Sequence, residues 1–196
     1  MDELQAIKAA QQGDLAAFNR LVLAYQNLAF NVAFRLMSDA DGAADACQEA
    51  FIKAFKAINQ YRGGSFKTWL MRIVTNTCYD QMRYRQRRPA SSLEETMENP
   101  DYQVKLVNGR ERPEEYALRQ ELNGLLQTAI DSLPDDQRTV LVLSDVQGFS
   151  YQEIAEITGE ALGTVKSRLS RARRKMRDYL VQQEELLPAQ YRLQSS

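Results

Sequence analysis

Histidine is absent from all 196 residues, and cysteine occurs twice, as Cys47 and Cys78. Without an imidazole the chain cannot assemble a Cys/His zinc site or a Ser-His or Cys-His catalytic pair. Both cysteines sit in strongly helical patterns and read as buried thiols, so neither a metal nor a cofactor is expected. Long apolar runs are missing as well. No segment approaches the length of a membrane span, and the opening stretch MDELQAIKAAQQGD has neither the basic nor the apolar region of a secretory signal. The expected setting is the reducing cytoplasm, with no membrane insertion. Alternating strand patterns, internal repeats, phosphate-cradling glycine motifs and paired acids in an evident cleft are also lacking. The expected fold is therefore all-α, and an enzyme is the weakest of the functional readings.

Charge is present in quantity but is unevenly placed. The formal net charge is −1, whereas residues 1–88 carry eight acids and twelve bases, 89–121 eight and four, and 122–196 ten and nine. An acidic middle thus separates two parts that each hold basic patches, the asymmetry expected of a two-domain nucleic-acid binder. The sharpest contrast is local. Between Ala161 and Val181 seven bases face one acid, about +6, while from Asp131 to Glu160 seven acids face Arg138 alone, about −6.

The stretch SYQEIAEITGEALGTVKSRLSRARRKMRDY, residues 150–179, reads as two short helices meeting at a tight corner. Ser150 and Glu153 form an S-x-x-E capping box that starts the first helix. Gly159 ends it in a left-handed conformation, and Glu160 to Gly163 make the turn. Thr164 is the expected N-cap of the second helix, whose buried stripe is Val165, Leu169, Ala172 and Met176. A capped helix, a glycine corner and a basic second helix are together what a helix-turn-helix needs to lay a helix in the major groove.

Upstream, a short helix from Asp2 breaks at Gly13. Asp14 caps a long one with the stripe Phe18, Leu21, Val22, Tyr25, Leu28, Val32 and Leu36. Asp39 or Asp41 starts a third helix with Ala44, Cys47, Phe51, Ala54, Phe55 and Ile58 expected inward, and Asp45, Gln48, Glu49, Lys53 and Lys56 outward. The loop NQYRGGSF follows, with two adjacent glycines beside Tyr61 and Arg62, which are placed to meet a ligand. A fourth helix from Phe66 offers Trp69, Ile73 and Met82 for packing. It ends in an arginine cluster that includes Arg83, before Pro89. Residues 89–112 lose helical period and read as a flexible linker. Pro113 then opens a helix with Leu118, Leu122, Leu125, Ala129 and Leu133 inward. The expected organisation is two small helical domains, 1–88 and 113–182, joined by that linker, with the helix-turn-helix in the second and a tail at 183–196.

Three features taken together, DGAADACQEAFIKAFKAINQYRGGSFKTWLMRIVTNT, the variable linker, and IDSLPDDQRTVLVLSDVQGFSYQEIAEITGEALGTVKSRLSRARRKM, resemble the bacterial RNA polymerase sigma factors of the sigma-70 family, in the compact extracytoplasmic-function (ECF) group. The resemblance implies no catalysis. It implies a first domain that binds the clamp helices of the polymerase β′ subunit through Asp45, Gln48, Glu49 and Lys53. The loop and the helix after it, with Tyr61, Arg62, Ser65, Phe66, Asn76 and Arg83, would then meet the minus-ten element and capture a base flipped from the non-template strand. The second domain would read the minus-thirty-five element through Ser150, Thr164, Lys166, Ser167, Arg168, Ser170, Arg171 and Arg174, and the implied partners are core polymerase (β′ clamp helices and β flap), promoter DNA and an anti-sigma factor. The expected function is promoter recognition and strand opening for a stress or envelope-response regulon. The alternative is a stand-alone helix-turn-helix repressor or activator, which would dimerise on a palindrome instead of joining polymerase as a monomer.

Overall fold

The computed structural model describes residues 2–87 and 113–183; the expected linker, 89–112, and nearly all of the expected tail lie outside them. The described residues form eight α-helices and no strand: α1 Glu3–Gln11, α2 Leu15–Met37, α3 Ala40–Ala57, α4 Phe66–Arg87, α5 Pro113–Asp131, α6 Asp135–Leu141, α7 Tyr151–Thr158 and α8 Leu162–Gln182. Local chemistry sets several boundaries. The Asp14 carboxylate accepts from the Ala17 N–H at 3.0 Å and caps α2. Asp39 caps α3 through the Asp41 N–H. The Ser65 hydroxyl accepts from the Thr68 N–H at the start of α4.

In the first domain α2 lies against α1, α3 and α4. Phe18, Leu21, Val32 and Leu36 are buried as their spacing predicts, and the Phe18 ring meets Phe55 edge-on at 5.0 Å. The inner face of α3 is only partly the expected one. Cys47, Ala54 and Ile58 are buried as expected, but Ala44 is exposed, and Gly42, Ala43, Ala46 and Ala50 fill the rest of the inner face. Small side chains let α3 approach its neighbours closely, so the large rings of Phe51 and Phe55 sit only half-buried at the edge of the stripe. On α4 the fully buried residues are Leu70, Met71, Val74 and Cys78, Trp69 and Ile73 pack at the margin, and Met82 is half-buried. Truncating Leu70 to Ala would cost about 2–5 kcal/mol, because a site so enclosed collapses poorly.

The second domain is built on Ile130, Leu133, Val140, Leu141, Val142, Leu143, Ile154, Ile157, Val165, Leu169 and Ala172. Leu118, expected inward, is 37 % exposed, since the first half of α5 runs ahead of the core that its second half joins. After α6 the helix widens into a π turn over Val142–Val146, which turns Val142 and Leu143 inward before Gly148 closes it at φ 71°.

The two domains pack on each other, with α7 lying along α4. Arg138 of α6 donates to the Leu36 carbonyl at 2.8 Å, and also to the Asp131 and Leu133 carbonyls. A cation from one domain thereby satisfies the open C-terminal end of α2 in the other. Arg35 donates to Gln127 at 2.8 Å, and Gln127 donates on to Ser38. The Tyr79 hydroxyl donates to the Asp135 carbonyl at 2.8 Å and pairs with Thr139. Lys67 sits 4.0 Å from the centroid of the Phe149 ring. Among the described residues no helix is long and apolar enough to cross a membrane.

Candidate nucleic-acid interface

The corner between α7 and α8 is fixed by short-range bonds. The Glu153 carboxylate accepts from the Ser150 N–H and hydroxyl, both at 2.8 Å, and the Ser150 oxygen accepts in turn from the Glu153 N–H. The Ser150 hydroxyl is thus a cap, and these bonds hold the Glu153 carboxyl below the usual carboxylate range. Gly159 takes φ 71°, which lets the Glu160 N–H reach the Ala155 carbonyl. The next helix begins earlier than expected. Ala161 occupies the N-cap position without a side-chain bond, and Thr164 lies half-buried inside the first turn. Gly163 continues the helix, so the turn is shorter than the run Glu160 to Gly163 suggested.

Burial of Val165, Leu169 and Ala172 turns the opposite side of α8 outward. Lys166, Ser167, Ser170, Arg171 and Arg174 are all exposed there, at helical spacings that make one continuous face, with Lys175 beside them. Arg168 is not on it. Its guanidinium is 2.9 Å from Asp136 of α6 and 2.9 Å from Glu160 of the corner, and its side chain is only 24 % exposed. Arg173 makes a bidentate pair with Asp145, at 2.9 and 2.7 Å. That pair holds the Asp145 carboxyl low and raises the arginine further above its ordinary value. Acids of α6, the π turn and the corner thus pair Arg168 and Arg173, while Lys166, Arg171, Arg174 and Lys175 face solvent.

In the first domain the loop between α3 and α4 opens with a 3₁₀ turn, Ile58–Gln60, and passes through Gly63 and Gly64 at φ 106° and 91°. Tyr61 and Phe66, expected to meet DNA, are instead 9 % and 2 % exposed. The Tyr61 ring packs edge-on against Phe66 and Trp69, and its hydroxyl donates to the Gly64 carbonyl at 2.7 Å. Three aromatic faces gain more from each other than from water, so these rings support the loop from beneath. Arg62 and Ser65 are exposed in the loop, and Asn76 and Arg83 are exposed on α4. The Ser65 hydroxyl is occupied as a cap.

On α3, Asp45 and Gln48 are exposed, whereas Glu49 and Lys53 pair at 2.7 Å and are tied to α4. Gln81 donates to Glu49 at 2.9 Å, and Lys53 donates to Thr77 at 3.3 Å. The Lys53 and Gln81 hydrogen bonds together hold the Glu49 carboxyl low. Near the helix start Arg85 pairs with Asp39 across Gly42. Burial pushes the Asp39 carboxyl up, but the Arg85 bond and the Gly42 and Asp41 N–H groups outweigh it and keep it below its ordinary value. Gln81 and Thr77 carried no signal in the sequence, and Arg85 stood out only as one of an arginine cluster, because their partners lie 24 to 46 residues away.

One domain thus presents an outward basic helix face and the other an exposed glycine loop, and each domain matches a known family region. Residues 21–88 match the model of sigma-70 region 2, and residues 123–176 match that of sigma-70 region 4. The RNA polymerase sigma-H factor of Pseudomonas aeruginosa is 41 % identical over 175 residues, covering 86 % of this chain and 89 % of that protein. The ECF RNA polymerase sigma-E factor of Escherichia coli K12 is 38 % identical over 172 residues, covering 85 % and 88 %. Among solved structures, the sigma factor RpoE of Bartonella quintana, in complex with the anti-sigma factor NepR, is 30 % identical with a TM-score of 0.63, over 83 % of this chain and 96 % of that one. CnrH in complex with the cytosolic domain of CnrY aligns with a TM-score of 0.67 over 91 % of this chain and 96 % of that one, and at 24 % identity it speaks to the fold alone. The two region matches and the identity along most of the chain agree: this chain belongs to the sigma-70 family of RNA polymerase sigma factors, in the ECF group.

Proposed function

We propose that this sigma factor holds the β′ clamp helices of core polymerase with Asp45, Gln48, Glu49 and Lys53 on α3, and that its second domain sits at the β flap. Residues 1–88 then meet the minus-ten element and residues 113–182 the minus-thirty-five element. The observation that carries the reading is the exposed row Lys166, Ser167, Ser170, Arg171 and Arg174 on a helix whose other arginines are held by carboxylates. Such a row offers cations to phosphates and short donors to base edges. Arg62, Asn76 and Arg83 supply the downstream contacts, and Tyr61 and Phe66 hold the loop in shape for them. The protein acts by binding, not catalysis, in the cytoplasm where polymerase and promoter are.

The packed arrangement of the domains is the inactive form, since α7 lies against the helix that carries Asn76. Polymerase draws the domains apart, and an anti-sigma factor holds them together. The solved RpoE relative bound to NepR supports such a partner. The regulon is a stress or envelope response, as the ECF grouping suggests. Run-off transcription with core polymerase tests the reading. Arg171→Ala should weaken closed-complex formation at the upstream element, by about 1–3 kcal/mol, while Asn76→Ala should spare it and depress permanganate reactivity downstream. If a premelted template fails to restore the Asn76→Ala variant even in part, the downstream assignment is wrong.

A further inference from the structure

The C-terminal end of α2 leaves carbonyls open, as every helix does, and two of them take their donors from the other domain. Arg138 of α6 donates to the Leu36 carbonyl at 2.8 Å, and the Gln127 amide of α5 donates to the Arg35 carbonyl at 3.4 Å and to the Ser38 hydroxyl at 2.9 Å. We propose that this helix end is the catch of an autoinhibitory latch, closed by Gln127, Asp131 and Arg138, which sets how much of the free protein is open to polymerase; the proposal rests on the reading of the packed arrangement as the inactive form.

Three observations carry it. The contact is reciprocal: Arg35 donates to the Gln127 side-chain oxygen at 2.8 Å, and the Ser38 hydroxyl donates to the Asp131 carboxylate, which also accepts from Gln127 at 2.9 Å. The ties between the domains join residues 89 to 102 apart in the chain, so the cluster exists only while the domains are packed. Ser38 is also, among the described residues, the one non-glycine at positive φ, 56°. A backbone conformation that disfavours a side chain is thus kept at the place where that side chain holds the other domain. Arg138, finally, is an incomplete fit. Two of its three carbonyl acceptors, Asp131 and Leu133, belong to its own domain, and its Nε is buried with no partner among the described residues. A guanidinium with an orphan nitrogen gains less from closing than a satisfied one, and water can replace each hydrogen bond of the cluster when it parts. Such a contact fixes an orientation and still reverses, which is what a latch requires.

The test uses the full chain in solution, with a donor and an acceptor dye at Asn19→Cys and Glu156→Cys, exposed positions on α2 and α7; Cys47 and Cys78 are buried and stay unlabelled. Energy transfer then reads the open-to-closed ratio. Ser38→Gly removes the hydroxyl but suits the left-handed backbone, so α2 keeps the bond from its cap N–H to the Phe34 carbonyl while the ratio rises roughly fivefold to tenfold. Arg138→Gln should open the protein at least as far, and Ser38→Gly decides the matter if that variant unfolds the second domain. In a Gln127→Ala background, adding Ser38→Gly should open the protein little further, because both changes break one network. Affinity for core polymerase should rise with the open-to-closed ratio, by up to the same factor, since only the open form binds. Unchanged transfer in both Ser38→Gly and Gln127→Ala would overturn the latch and leave the reading of the packed form untouched. Wider opening with unchanged affinity for core polymerase would instead sink that reading, and the autoinhibitory role with it.

Discussion

Replacing Arg168 by Ala separates a DNA contact from a brace. The guanidinium spans Asp136 and Glu160 at 2.9 Å each, and its side chain is 24 % exposed, so it lies between two regimes. A fully exposed ion pair brings about 0.2–1 kcal/mol. A hydrogen bond to a charged group in a drier place brings about 1.5–3 kcal/mol. Both carboxylates are more exposed than the arginine, at 45 % and 37 %, which puts the pair of contacts at about 2 kcal/mol together. For a chain of this length each kcal/mol moves the melting temperature by about 2–4 °C, so Arg168→Ala should melt about 4–8 °C lower. Differential scanning fluorimetry reads this directly. The salt slope of promoter binding should stay at its wild-type value, because no phosphate contact is lost, whereas Arg171→Ala should lower it by about one. In a background carrying both Asp136→Asn and Glu160→Gln, removing Arg168 should cost little more. A variant that melts normally but loses about one in salt slope would show that Arg168 faces phosphate and that the bracing argument is wrong.

Three further outcomes follow from the same contacts. Glu49→Lys places a second cation beside Lys53 and frees Gln81; it should weaken competition for core polymerase while helicity by circular dichroism is retained. Gly42→Ala puts a methyl 2.5 Å from the Asp39 carboxylate and 2.6 Å from the Arg85 guanidinium, so the bridge must shift. The lost exposed pair and the gained helix propensity, each about 0.5–1 kcal/mol, should nearly cancel in a denaturant titration while Arg85 changes position. Burial pushes both thiols from 9.0 up to about 12, so Cys47 and Cys78 should resist alkylation at pH 8 until the protein unfolds. Their contribution to stability should be intact below about pH 9 and fade as pH rises toward about 12, because only the unfolded thiols ionise in that window.

Much of the fold is legible in the chain because it depends on neighbours three or four residues apart. The Ser150–Glu153 box, the Asp14 cap, the Gly159 corner and the stripe Val165, Leu169 and Ala172 are all local, and each stands where its spacing requires. The outward row of α8 was legible for the same reason, since burying one stripe leaves its complement exposed. Resemblance named the same row, along with Arg62, Asn76 and the face of α3. It also named Tyr61, Phe66 and Arg168, whose side chains are packed or paired within the protein. Residue type alone does not say whether an aromatic ring or an arginine finds its partner within the protein or beyond it. The Tyr61 ring lies under its loop because Phe66 and Trp69 wait there, and Arg168 turns inward because Asp136 and Glu160 converge on it from two other elements. The bonds from Gln11 to the Ile58 and Tyr61 carbonyls reach 47 and 50 residues along the chain, the Tyr79 contact 56, and the Arg138 cap 102. Helical period carries no trace of such pairings. They arise only when packed helices bring distant side chains together, and so the sequence alone determined the helices and their faces, while tertiary packing decided which polar groups brace the molecule and which are left exposed.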